Sequence, residues 1–108
     1  MRVITHKTIS DFVKNHADAE IALGSWYEKT ENAEWSCFAD VKNDFNSVDS
    51  IGNKRYVFNI KGNSYRIIAI LLFAPKIVYI RFIGTHAEYS KIKDYSKIVP
   101  MFEIGNSS

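Results

Sequence analysis

The hydrophobic period of this chain changes near its midpoint, and that change limits the folds open to it. In the first half, Ile9, Phe12, Val13 and His16 lie at i, i+3, i+4 and i+7, one face of an α-helix. After Asn53 the period is two. Tyr56, Phe58 and Ile60 share one side of a strand, and Arg55, Val57, Asn59 and Lys61 share the other. Lys61-Gly62-Asn63-Ser64 reads as a tight turn, Tyr65 to Phe73 as a second strand, and Ala74-Pro75-Lys76 as a second turn. Ile77 to Ile83 is a third strand, with Tyr79 and Arg81 on the same side.

The first half supplies helices. Thr8-Ile9-Ser10-Asp11 has capping-box spacing with Asp in place of Glu. A second helix is expected from Asp18, a good N-cap, to about Lys29, burying Ile21, Ala22 and Trp26. Phe38 to Phe45 predicts a short third helix, 46–53 a polar loop, and His86 to about Ile92 a last turn or two. Met1 to Thr5 alternates weakly, as a short strand would. With 108 residues the chain makes one core and not two. The expected class is α+β: an N-terminal strand and helical hairpin packed on one face of a mainly antiparallel sheet ending in a three-strand meander. Residues 1–92 form the domain, and 93–108 read as a partly disordered C-terminal extension.

Charge divides along the same line. Residues 1–50 hold five Lys/Arg against nine Asp/Glu, and residues 51–108 hold nine against three. Between Ser50 and Ala87 there is no acidic residue, yet Lys54, Arg55, Lys61, Arg66, Lys76, Arg81 and His86 all fall there. Cations spread over one sheet, without partners among their neighbours in sequence, are the footprint of a polyanion-binding surface. A plainer account has the acidic helices neutralising the sheet from behind. The N-terminus lacks an apolar signal core, no apolar run reaches membrane-spanning length, and a cytoplasmic protein is expected. Cys37 stands alone, which excludes an internal disulfide and is read as a packing residue. Trp26, Tyr27 and Trp35 are expected in the core, and His6 and His16 as caps or packing residues.

The cationic sheet carries tyrosines at Tyr65 and Tyr79, with Tyr89 just beyond, which suits unpaired RNA better than duplex DNA. Cleaving RNA needs little from a protein, because the 2′-hydroxyl nucleophile belongs to the substrate. Arg66 and Arg81 can hold a phosphate through their planar forks. His86 is the natural acid or base. Tyr89 is either its partner or a base-stacking platform. The scheme calls for no metal or other cofactor, and the sequence offers no carboxylate cluster to hold one.

Several segments together resemble the HigB family, toxins of bacterial type II toxin–antitoxin modules within the RelE superfamily of mRNA interferases. They are Gly52-Asn53-Lys54-Arg55, Val57 to Asn63, Tyr65-Arg66 and Val78 to Tyr89, of which the block from Ile80 to Tyr89 is specific. Met-Arg-Val-Ile-Thr at the start, Ala17 to Glu20 and Trp26-Tyr27 extend the likeness over roughly residues 1–92. The resemblance implies a RelE-like fold and metal-independent cleavage of mRNA in the ribosomal A site, leaving a 2′,3′-cyclic phosphate and a 5′-hydroxyl. It further implies a HigA-type helix-turn-helix antitoxin as partner, operator DNA contacted only through that antitoxin, and no membrane. Arg66 matches the arginine on the middle strand of the meander, and His86 and Tyr89 match the basic and tyrosine positions beyond the last strand. RelE itself has strand lysines where this chain has Val57 and Asn59. Phosphate contacts are therefore expected to shift to Lys54, Arg55 and Lys61, with Asn59 and Lys91 completing the RNA-binding set. The alternative is a non-catalytic module that blocks translation by occupying the ribosome or its RNA. A third reading is a degenerate module kept for operon control with its partner.

Overall fold

A computed structural model describes residues 1–4 and 6–92, with His6 described by its backbone alone. The order is β1 (Arg2–Ile4), α1 (His6–Val13), a 3-10 turn (Ala17–Ala19), α2 (Glu20–Glu31), α3 (Phe38–Asp44), β2 (Val48–Ser50), β3 (Arg55–Ile60), β4 (Tyr65–Leu72), β5 (Ile77–Thr85) and α4 (His86–Ser90). The strands form a five-stranded sheet in the order β1-β5-β4-β3-β2. β1 runs parallel to β5, and every other pairing is antiparallel. The expected α+β architecture and meander are therefore present.

Alternation along the strands gives the sheet two distinct faces. Phe58, Ile60, Ile67, Ala69, Leu71, Val78, Ile80 and Ile83 join Leu23, Trp26 and Trp35 in the main core beneath the helices. Fully burying side chains such as Leu23, Phe58, Ile67 and Leu71 stabilises the fold by about 1.5–3 kcal/mol each. Trp35 also satisfies its indole, donating from Nε1 to Asp44 Oδ2 at 2.8 Å. The opposite face carries a second, smaller cluster of Val57, Ile68, Phe82 and Tyr89, with Ile51 and Ile92 against it. Here the covering element is α4.

Several expectations are corrected. α1 begins at His6, ahead of the Thr8 capping signal. Asp18 does not cap α2 but lies in the 3-10 turn, where its carboxylate accepts from Lys61 Nζ at 2.9 Å and Tyr65 Oη at 2.6 Å. Starting the helix at Glu20 sets its inward face to Ala19, Leu23, Trp26 and Thr30, so Ile21 points outward at 86% exposure. The polar loop contains β2, whose single inward residue, Val48, left almost no periodic signal. Cys37 is exposed at the N-cap of α3 and packs no core. His16 fulfils its packing expectation, stacked 4.0 Å from the Phe12 ring. The C-terminal extension, 93–108, lies outside the described residues. Among the described residues no helix is long and apolar enough to cross a membrane.

Candidate nucleic-acid interface

The face of the sheet turned away from the helices is organised in rows set by strand register. One row is Asn59, Arg66 and Gly84, the next is Val57, Ile68 and Phe82, and a third is Arg55, Ile70 and Tyr79. β5 is irregular between the last two. Ile68 pairs with Phe82 and Ala69 with Ile80, which leaves Arg81 as the extra residue of a bulge. A bulge re-aims side chains. It turns Phe82 onto the side that Tyr79 and Arg81 already share, where strict alternation would have turned Phe82 inward.

Arg66 is the best defined of the cations. Its guanidinium carbon lies 4.5 Å from the centroid of the Tyr89 ring, a cation–π contact that fixes a long side chain over a rigid plate. Tyr89 is held from below by the Val57, Ile68 and Phe82 cluster. The Nε of Arg66 and that of Arg81 are both buried, with no hydrogen-bond partner among the described residues. A buried donor without an acceptor carries a desolvation cost that an incoming anion would remove. Arg81 lies over the Tyr79 ring at 5.5 Å. Burial, and then the nearby Arg81 charge, push the Arg55 guanidinium below its ordinary value.

α4 sets the chemistry at one end of this face. Thr85 Oγ1 accepts from the Glu88 amide at 3.2 Å, and Glu88 Oε1 accepts from the Thr85 amide at 2.7 Å, a complete capping box. The T-x-x-E spacing of 85–88 is the sequence signal for this helix start. Gly84 is required next to it, since a Cβ there would overlap Phe82 Cζ and stand 3.0 Å from Glu88 Oε1. His86 is the first residue of α4 and is exposed. Its amide donates to Ser64 O at 3.3 Å, and its Nδ1 lies 3.4 Å from Ser90 Oγ one turn on. Ser90 was not foreseen as its neighbour.

The remaining candidates separate. Lys61 has φ of 53°, leaves the strand alternation, and turns to Asp18 on the helical side. Tyr65 is buried there too, so neither contributes to the open face. Lys76 is likewise engaged, donating to Trp35 O at 2.9 Å. Two of the cations first read as unpartnered thus have structural roles, which sequence-neighbour counting does not reveal. The Asn59 amide donates to Ser47 Oγ. Lys54, at φ 63°, is exposed in the turn before β3, and Lys91 is exposed at the end of α4. The structure therefore gathers Arg55, Arg66, Arg81, His86 and Tyr89 onto or beside one face, with Lys54 and Lys91 at its margins.

An N-terminal strand and helical hairpin behind a mixed sheet, with guanidinium groups on the uncovered side, define a RelE-like α+β protein. Residues 19–92 match the HigB_toxin family, the RelE-like toxic component of a toxin-antitoxin system, and the chain belongs to that family. It is 28% identical over 97 residues to the mRNA interferase HigB of Escherichia coli O6:H1 (strain CFT073), covering 88% of this chain and 94% of that protein. It is 33% identical over 97 residues to the mRNA interferase toxin HigB of Escherichia coli K12, covering 82% and 88% respectively. An mRNA interferase HigB of Shigella flexneri matches to the same extent.

Proposed function

We propose that this toxin is an endoribonuclease that cuts translated mRNA on the ribosome and so arrests growth. The observation that carries the reading is Arg66 stacked on Tyr89 at the foot of the short helix that begins with His86. A phosphodiester placed against Arg66 gains a charge-assisted contact that strengthens as the pentacoordinate phosphorus accumulates negative charge. The substrate 2′-hydroxyl attacks phosphorus, its proton passes to a base, the P–O5′ bond breaks, and the 5′-oxygen takes a proton. The products are a 2′,3′-cyclic phosphate and a 5′-hydroxyl. His86 is assigned to proton transfer, its Nδ1 side lying toward Ser90 and its Nε2 left for the substrate. Tyr89 holds Arg66 in place and offers a phenol at the same end of the sheet. Every step uses groups of the chain and of the RNA.

The toxin family also implies an antitoxin. A HigA-type helix-turn-helix protein is the proposed partner, operator DNA being reached only through it, and the cytoplasm the proposed compartment. The test is brief expression in a bacterial host, with new 5′ ends mapped by primer extension on an abundant transcript beside a His86→Ala control. Discrete cuts within translated regions, absent from the control, are expected. Translation arrest with intact messages would replace cleavage by occupancy.

A further inference from the structure

The open face holds two cationic positions, not one. Arg66, His86 and Tyr89 belong to one end, in and beyond the row that contains Asn59 and Gly84. Arg55 and Tyr79 belong to the row four residues further along β4, and Arg81 sits in the bulge beside them. Between the two lies the row of Val57, Ile68 and Phe82, closed over by Tyr89. Four residues of strand span about 13 Å, longer than the step between adjacent phosphates of a single strand. Arg81 itself lies opposite the Ile68/Ala69 step, two to three residues along β4 from Arg66, so neighbouring phosphates of one strand can be met separately by Arg66 and by Arg81.

We propose that Arg81 and Arg55, with the Tyr79 ring beneath Arg81, form a second phosphate subsite that holds the RNA away from the scissile bond. This deepens the ribonuclease reading and rests on it for the identity of the polyanion. It also separates Arg81 from the cleavage site to which its charge alone would assign it. Two observations on Arg81 support a built site: the ring that supports it, and the buried Nε with no hydrogen-bond partner among the described residues. Arg55 adds a second guanidinium from across β4, close enough to feel the charge of Arg81. His86, the group fit for proton transfer, stands at the other end beyond Gly84, and Tyr89 reaches from α4 over the middle row. The second position grips and does not cut.

The test is binding of a 2′-O-methyl RNA oligonucleotide, which cannot be cleaved, with each phosphate replaced in turn by a neutral methylphosphonate. Arg81→Gln is expected to weaken binding about tenfold, as loss of a charge-assisted hydrogen bond does. One methylphosphonate position should abolish the effect of Arg81→Gln, and a different position that of Arg66→Gln. Arg55→Gln and Arg81→Gln should be non-additive because they share a phosphate, whereas Arg66→Gln and Arg81→Gln should add. Arg81→Lys keeps the charge without the fork and should recover part of the loss. Thermal melts of each variant exclude misfolding as the cause. A single methylphosphonate position masking both Arg66→Gln and Arg81→Gln would overturn the proposal, as would unchanged binding by Arg81→Gln. Absence of cleavage of a message being translated on ribosomes would overturn the ribonuclease reading while leaving the two-position map to stand or fall by itself. Failure to bind the 2′-O-methyl oligonucleotide would overturn the two-position proposal, and the ribonuclease reading would then rest on cleavage on ribosomes alone.

Discussion

Arg66 and Tyr89 are in contact across the join between β4 and α4, guanidinium carbon to ring centroid 4.5 Å. The ring is itself buried against Ile68 and Phe82, so the arginine stands on the second core. Tyr89→Phe keeps the plate and should leave the melting temperature and RNA affinity near those of the parent. Any loss of cleavage in that variant would isolate a role for the phenol. Tyr89→Ala removes plate and packing together and should cost roughly 3–5 kcal/mol in chemical denaturation.

The α4 capping box predicts a functional cost from a stability change. Thr85→Ala should lower unfolding free energy by about 1 kcal/mol. It should also reduce cleavage, because His86 and Tyr89 both ride on the helix it anchors. Urea denaturation and a single-turnover cleavage assay report the two separately. Thr85→Ser, which keeps the acceptor oxygen, should restore both.

Gly84 should tolerate no side chain. Its backbone is not left-handed, so the constraint is space: a Cβ meets the Phe82 ring and the Glu88 carboxylate at once. Gly84→Ala is expected to cost roughly 1–3 kcal/mol, as overpacking does. Combining it with Phe82→Leu should recover part of that loss in a thermal melt.

Asp18 and Tyr65 predict a pH dependence of stability. The hydrogen bond from Tyr65, and then the one from Lys61, lowers the Asp18 carboxyl below its ordinary value, and the bond to Asp18 raises the Tyr65 phenol. The carboxylate contribution is present above the unfolded value of about 3.9 and fades as pH falls through the lower folded value. The phenol contribution is complete below the unfolded value of about 10 and fades as pH rises through the higher folded one. Tyr65→Phe should flatten the alkaline limb of a plot of melting temperature against pH, while Lys61→Gln should leave that limb in place.

The strands of the meander were legible because apolar runs of strand length are separated by the turns at 61–64 and 74–76. The period of two within Arg55–Ile60 and from Ile77 to Arg81 sets the candidate residues Arg55 and Arg81 on the face opposite Phe58 and Ile80. Arg55, Arg66 and Arg81 do share the open face. The bulge at Arg81 was not legible, since Arg81 and Phe82 fall on one side only through pairing with β4. Lys61 and Lys76 escaped for a related reason. Both have positive φ and find partners on segments distant in sequence, Asp18 and the Trp35 carbonyl. Ile21 misled because the three-residue 3-10 turn Ala17–Ala19 delays the start of α2 and shifts its phase. β2 was too short, and too exposed at the edge, to leave a period.

The parallel pairing of β1 with β5 has a consequence for how the protein is made. Arg2 waits for Ile77 and Ile4 for Tyr79, so β1 has no sheet partner until β5, the last strand among the described residues, has been made. Contacts of such long separation form late. α4, which carries His86 and Tyr89, emerges later still. The open face is therefore completed by its two most C-terminal described elements, β5 and α4, after every other strand of the sheet has been made.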